Sequence, residues 1–425
     1  MVNSEAPPWY KIRHYLHFDN PVGPHSASKI AMVPNTVEKH SFYPFIHTVI
    51  KTVKLVKNKT TGIIERKEKK RDISYAAHAD SHIYAYYAHL LNQRYEEALS
   101  NAGLENSVLA FRTMGKSNIE FAQIAFNDIL CRQECDVIAL DITGFFDNLD
   151  HYLLRKAWAK LLSADHLPPD HYNIYRSLTR WCRVDKRAVY NALNISLHNP
   201  KKHHRKRLCE PNIFRTTVRP LLQLNNQSKG IPQGTPISAA LSNIYMLSFD
   251  AQMQSFANQI NARYLRYCDD IIMIAPKGTL DAIKTFVNDR INDFKLEIQT
   301  DKTEERTFSL EGDRLRTTEP LQYLGFTFDG KNVRIRSSSV ARYCDRMKRG
   351  IRTANNARRK YNKLRMAKKR SPKGLYLKKL FRRYSYLGRR NFMSYAYRSA
   401  QIMKSQTIKK QLKPLLKKLD TTIDT

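Results

Sequence analysis

The chain is 425 residues long, enough to bury a large core and to divide into two or three lobes. Its formal net charge of +35 and sequence pI of about 10.0 exceed anything folding requires and point to a polyanionic partner, nucleic acid ahead of an anionic membrane. No long apolar span is present and the start, Met1 to Pro8, lacks a signal-peptide pattern, so the expectation is a cytoplasmic protein with no membrane partner. The six cysteines are scattered without a C-x-x-C pair, which argues against a zinc ribbon and against a disulfide framework.

Residues 1 to about 60 are rich in aromatics and histidine and include a strand-like run, Phe45 to Ile50, but suggest no chemistry. A basic run, Arg66 to Ile73, follows a turn expected at Thr61-Gly62 and precedes a helical stretch, Tyr84 to Leu91. A basic hairpin before a helix can hold phosphates, although a charge run is more often a solvated face. Phe111 to Ser117 forms a compact basic turn ahead of an apolar pattern with helical spacing, Ile119 to Leu130. It lacks the glycine spacing of a Walker A loop, which leaves an NTPase without support.

Asp136-Val137-Ile138-Ala139-Leu140-Asp141-Ile142 reads as a buried strand ending in a carboxylate, and Asp147 and Asp150 suit helix capping. Asp141 comes too early to cap, so it is a candidate ligand. A very basic knot, Lys201 to Arg207, contains a histidine pair, but the flanking cations favour a solvated or RNA-facing loop over a metal site. Gly230-Ile231-Pro232-Gln233-Gly234-Thr235-Pro236-Ile237-Ser238 is a rigid loop that opens a helix, with glycines permitting close approach and free N–H groups facing outward.

Tyr264 to Ile274 is the most informative stretch: two strand-forming runs flank the adjacent carboxylates Asp269 and Asp270. Strands deplete Asp and neighbouring anions repel, so the pattern reads as a hairpin offering both carboxylates to a cation. Oxygen-only ligands suit Mg²⁺; a solvated acidic turn is the bland reading. A helix from about 279 to 295 and strands over 321–328 and 333–336 follow. From Arg334 to Lys418 there are 29 Lys or Arg against one acid, Asp345, in a helical pattern interleaved with aromatics, which reads as a nucleic-acid clamp. Three strand-associated carboxylates beside a phosphate-friendly loop and a cationic clamp suggest two-metal phosphoryl transfer.

With these motifs in this order, the sequence resembles the reverse transcriptases from about residue 66 to 330. Asp141 to Asp147 is similar to their first palm motif, Gly230 to Ser238 to the G-x-P-Q-G-x-P-x-S motif, and Tyr267-Cys268-Asp269-Asp270 to the Y-x-D-D hairpin. The resemblance implies an α+β right-hand polymerase: an N-terminal extension (1–60), fingers (61–135), a palm (136–330) with a basic insertion near 195–229, and a basic α-helical thumb and C-terminal region (331–425). It implies that Asp141, Asp269 and Asp270, with the backbone carbonyl of Ile142, hold two Mg²⁺ ions. Lys302 becomes a candidate proton donor to pyrophosphate. Arg71 with Lys69 or Lys67 would grip the triphosphate of a dNTP, Gln233 would lie near the nucleotide, and Leu324-Gly325-Phe326 would form the primer grip. Phe146, five residues after Asp141, stands at the steric-gate position and would exclude a ribose 2′-OH.

Cys268 replaces the usual alanine, and Ser238-Ala239-Ala240-Leu241 replaces the usual Ser-Pro-Leu-Leu. No cysteine pairs or HNH-like segment follow the thumb, and the retron N-A-x-x-H signature is absent. With its long basic α-helical end, the chain resembles the defence-associated bacterial reverse transcriptases of the "unknown group" class, type 2 in particular, on group II intron-like palm motifs. That resemblance implies antiphage immunity and a cognate structured noncoding RNA copied into cDNA. Two rivals are a maturase-like RNA-binding protein that does no catalysis and a template-independent or protein-primed DNA polymerase.

Overall fold

The computed structural model describes residues 6–57 and 64–424. Two short helices, α1 (Pro24–Ala31) and α2 (Pro34–Glu38), precede strands β1 (Phe45–Lys57) and β2 (Ile64–Tyr75), which pair antiparallel from Ile46↔Tyr75 to Lys57↔Ile64. The turn expected at Thr61-Gly62 lies outside the described residues, as does the side chain of Lys67. Helices α3 (His78–Asn101) and α4 (Asn118–Arg132) follow, and Ser117 and Glu120 form a capping box at the start of α4.

The central sheet has the order β6-β7-β3-β8-β9, from β3 (Cys135–Asp141), β6 (Arg263–Tyr267), β7 (Asp270–Ala275), β8 (Glu304–Glu311) and β9 (Arg314–Arg316). Its two central strands are apolar over Val137–Leu140 of β3 and Ile271–Ala275 of β7, where both faces are covered. Ile138, Leu140, Ile271 and Met273 face a core built with α10 (Ser238–Gln259), whereas Val137, Ile272 and Ile274 face a second core built with α4 and the C-terminal helices. Period-two alternation thus carries Asp141 and Asp270 to the face shared with the C-terminal helices.

Between β3 and α10 lie α5 (Phe145–Asn148), α6 (His151–Leu161), α7 (Pro169–Thr179), β4 (Cys182–Asp185), α8 (Lys186–Ala192), α9 (Pro211–Ile213) and β5 (Gln223–Leu224). Strand β4 runs parallel to β1, and β5 joins its other edge, giving a second sheet ordered β2-β1-β4-β5. The basic stretch read as a palm insertion is therefore tied to the strands of the basic hairpin, through a core of Leu16, Phe18, Ile46, Val184, Leu208 and Val218.

Residues before β1 are also woven in: His78 pairs with Asp19 at 2.7 Å, His40 with Asp80 at 2.7 Å, and Asn173 donates to the carbonyls of Val37 and His40. Asp150 caps α6 as expected, accepting from the Leu153 N–H at 3.0 Å. Asp147 does not cap. It lies inside the one-turn α5, and burial together with the nearby Asp72 carboxylate raises its pKa.

After α11 (Leu280–Asp293), the run expected as one strand over 321–328 is broken. Leu324 (φ 44°) and Gly325 (φ 94°) turn the chain between β10 (Leu321–Tyr323) and β11 (Phe326–Phe328), and β12 (Val333–Ile335) completes a three-stranded sheet. The rest is helical: α12 (Ser337–Ala367), α13 (Leu377–Tyr384), α14 (Phe392–Ile402) and α15 (Gln406–Asp424). Among the described residues no helix is long and apolar enough to cross a membrane.

Candidate active site

Antiparallel pairing of β3 with β7 sets Asp141 directly opposite Asp270, and the Ile142 N–H donates to the Asp269 carbonyl at 3.1 Å. The Gln299 N–H donates to the Asp141 carbonyl at 2.8 Å, which draws the 3₁₀ turn Thr300–Lys302 alongside, and Lys302 Nζ reaches Asp141 Oδ1 at 2.6 Å. Burial pushes the Asp270 carboxyl up to about 7, with Asp269 and Asp141 adding repulsion that Lys302 and Arg336 only partly offset. Lys302 and Arg336 set against three carboxylates leave this corner short of positive charge.

The donor chemistry fits a divalent cation: oxygen atoms only, with mutual repulsion that such an ion would relieve. Among the described residues no three Asp, Glu, His or Cys groups converge as a metal cluster.

A cavity of ≈ 1830 Å³ opens over this corner. Lys69, Arg71, Asp141, Asp269, Asp270, Lys302, Leu324 and Gly325 line it, so eight of the residues singled out in the sequence share one space. Ile142 and Phe326 are buried, and their side chains belong to the cores. The turn at Leu324-Gly325 faces the cavity, and the Phe326 ring beside it packs into the core.

Phe146 and Gln233 also lie outside the lining. Phe146 is half-buried against Phe145, with ring centroids 5.6 Å apart, and its carbonyl accepts from the Ile231 N–H at 2.9 Å. The Gly230–Ser238 loop is thereby clamped between the turn after β3 and the end of β2, where the Ser74 N–H donates to the Gln233 carbonyl at 2.8 Å. Both loop glycines are required. Gly230 (φ 88°) and Gly234 (φ 112°) leave no room for a Cβ, which would lie 2.8 Å from the carbonyl oxygens of Asp147 and Ser74 respectively.

Several contributors escaped the sequence reading. Arg266, wholly buried on β6, makes a two-pronged pair with Asp250 of α10, with Nε and Nη2 each 2.6 Å from a carboxylate oxygen. Its Nη1 donates to Asn243 Oδ1 at 3.2 Å and to the Cys268 carbonyl at 3.1 Å. Cys268 has φ 61°, a left-handed conformation costing a non-glycine residue about 1–2 kcal/mol, so the guanidinium braces the strained residue that presents Asp269. The Cys268 thiol is held neutral by burial and by the neighbouring Asp269 carboxylate. An arginine between Leu265 and Tyr267 in a buried strand was the available signal.

Asn118 donates to the Leu324 carbonyl at 2.9 Å and to the Tyr395 hydroxyl at 3.0 Å, tying the cavity-facing turn to α4 and α14. Arg336, at the start of α12, lies near Asp270, and burial, together with Arg342, lowers its pKa. Its Nε and the buried Tyr323 hydroxyl have no hydrogen-bond partner among the described residues. Arg342, Arg346 and Arg349 line the cavity further along α12.

The family model described as "Reverse transcriptase (RNA-dependent DNA polymerase)" matches residues 90–328, more than half of the chain. Lys69, Arg71 and α12 fall outside that match. No curated protein matches. Among solved structures, apo telomerase from Candida tropicalis is 14% identical, with a TM-score of 0.44, over 72% of this chain and 53% of its own. The form truncated from the C-terminal domain is 13% identical, with a TM-score of 0.42, over 68% and 57%. Telomerase from Candida albicans, solved with the TWJ fragment of telomeric RNA, is 9% identical, with a TM-score of 0.41, over 92% and 58%. The chain thus spans little more than half the length of these structures. From the span of the family match, the protein belongs to the reverse transcriptase (RNA-dependent DNA polymerase) family, a nucleotidyltransferase family.

Proposed function

We propose that the chain copies a cognate structured noncoding RNA into cDNA, using dNTPs and Mg²⁺, in bacterial antiphage defence. The observation that carries the polymerase reading is the pairing of Asp141 with Asp270, beside Asp269 and Lys302, in a cavity lined also by Lys69, Arg71 and the arginines of α12. The defence role and the noncoding template rest on the sequence resemblance to the "unknown group" enzymes, type 2.

Asp141, Asp269 and Asp270, with the Ile142 carbonyl, would hold the metal ions. Bound divalent ions supply activation of the primer 3′-hydroxyl and stabilisation of the leaving pyrophosphate oxygen. Lys69 and Arg71 orient the triphosphate by charge, and Lys302 donates a proton to the departing pyrophosphate. Phe146 abuts the 2′ position of the sugar and Gln233 supports the nucleotide from the clamped loop. The turn at Leu324-Gly325 seats the primer end, and α12 follows the duplex with Arg342, Arg346 and Arg349.

Sequencing the nucleic acid that co-purifies with wild type and with Asp269→Ala/Asp270→Ala tests this reading. Template-matched cDNA lost in the variant supports it. RNA without cDNA would point to a maturase-like binder, and untemplated or protein-linked DNA to a template-independent or protein-primed polymerase. Loss of phage protection in the same variant tests the defence role.

A further inference from the structure

Helix α12 has two unlike halves. The first buries Tyr343, Met347 and Ile351 and lines the cavity as far as Thr353. Beyond Ile351 no residue is buried until Leu380, so the outer 16 residues project about 24 Å without a protein core. Residues 352–373 contain ten Lys or Arg and no acid.

This arm is built rather than frayed. Asn362 clamps the returning chain through both ends of its amide, donating to the Lys373 carbonyl at 2.9 Å and accepting from the Lys373 N–H at 2.9 Å. Arg365 Nε donates to the Ser371 carbonyl at 2.7 Å and its guanidinium lies 5.7 Å from the centre of the exposed Tyr361 ring. Tyr361, Leu364 and Met366 are all more than half exposed near the tip.

The distribution of charge identifies the partner. At about 100° per residue, Arg358, Arg359, Lys360, Lys363 and Arg365 point to about 0°, 100°, 200°, 140° and 340° around the helix axis. A duplex leaving the cavity along α12 would offer phosphates to one side only. These cations spread over about 220° of the circumference, wider than one duplex face, and the remaining sector carries the exposed Tyr361 and Leu364. That pattern suits an arm flanked by more than one phosphate-bearing strand, with the Tyr361 ring offering a stacking face to an unpaired base. We propose that residues 355–374 form an arm that inserts into folded RNA outside the catalytic cavity, holding the RNA independently of its copying. The choice of RNA as the polyanion rests on the reading of the protein as an RNA-copying enzyme.

The test compares wild type with R358Q/R359Q/K360Q/K363Q, which removes four exposed or half-exposed charges and retains helix formers. Binding is measured on a three-way-junction RNA and on a short RNA–DNA hybrid with an RNA overhang, over a range of KCl. The expected result is at least about a tenfold loss on the junction RNA and a salt slope shallower by about 3, at up to about 0.9 for each phosphate no longer neutralised. Affinity for the hybrid and its extension rate should stay within about twofold, since these side chains lie outside the cavity.

Equal loss on both probes would overturn the proposal by placing the arm on the copied duplex. Unchanged junction binding would overturn it as well, as would arm-dependent binding to phosphatidylserine vesicles that equals or exceeds binding to RNA. Failure of the polymerase reading is separable: a wild-type protein that extends no hybrid yet loses junction binding in the variant would keep the arm and discard the copying.

Discussion

Replacing Asp270 by Asn should stabilise the metal-free protein while abolishing polymerisation. The carboxyl is pushed from an ordinary 3.8 to about 7, chiefly by burial and then by Asp269 and Asp141. A folded pKa raised above the unfolded one means that the protonated form favours folding. That contribution is fully present below about pH 3.8 and is lost as pH rises through about 7, where the native state must carry an ill-solvated anion. Relative to an always-neutral side chain, the cost is about 1.7 kcal/mol at pH 5 and about 4 kcal/mol at pH 8, at 1.36 kcal/mol per pKa unit. Asp270→Asn should therefore gain about 2–3 kcal/mol more over wild type at pH 8 than at pH 5. Thermal unfolding in EDTA at both pH values measures this. Adding Mg²⁺ at pH 8 should raise the wild-type midpoint more than that of the variant. A variant no more stable at pH 8 than at pH 5, relative to wild type, would refute the claim that this carboxylate is held under strain for a cation.

Other consequences follow from the same geometry. Phe146→Ala should admit ribonucleotides, lowering discrimination by at least about tenfold, or about 1.4 kcal/mol; unchanged sugar selectivity would remove Phe146 from the gate. Arg266→Lys keeps the buried charge but loses the two-pronged grip on Asp250 and the brace on Cys268. It should lower kcat about 10- to 100-fold through misplaced carboxylates, with the KM for dNTP little changed. A fall in stability alone, with kcat intact, would make the pair merely structural. Asn118→Ala loses two hydrogen bonds, about 1–2 kcal/mol, and should raise the KM for primer–template about 5- to 30-fold without touching that for dNTP.

The carboxylate corner was legible because its signals are local. A strand that ends in Asp141 and a hairpin around Asp269-Asp270 need only alternation and turn chemistry to be read; in the structure the turn itself is Cys268-Asp269, and Asp270 opens β7. What escaped depends on distant partners. Strand β4 is four residues long and owes its place to β1, pairing Phe45 with Arg183 across more than a hundred residues, so no periodicity announces it. At Leu324-Gly325 the glycine and the resemblance to a primer-grip hairpin marked a turn, but leucine carries no signal for its own positive φ; the turn holds through Asn118, two hundred residues earlier. Cys268 illustrates the same limit. Its conformation is explained by Arg266 and Asp250, and a buried arginine in the strand before it hinted at that brace without naming its partner. The N-terminal residues suggested no chemistry, and their His–Asp pairs show them acting as packing for α3.

The central claim is that Asp141, Asp269 and Asp270 direct RNA-templated DNA synthesis. The most direct measurement is extension of a DNA primer on an RNA template with Mg²⁺, comparing deoxynucleotide and ribonucleotide triphosphates for wild type and Asp141→Ala. The prediction is incorporation of the deoxynucleotide that complements the template, lost in the variant while RNA binding persists. Incorporation that ignores the template, or that survives Asp141→Ala, would contradict it.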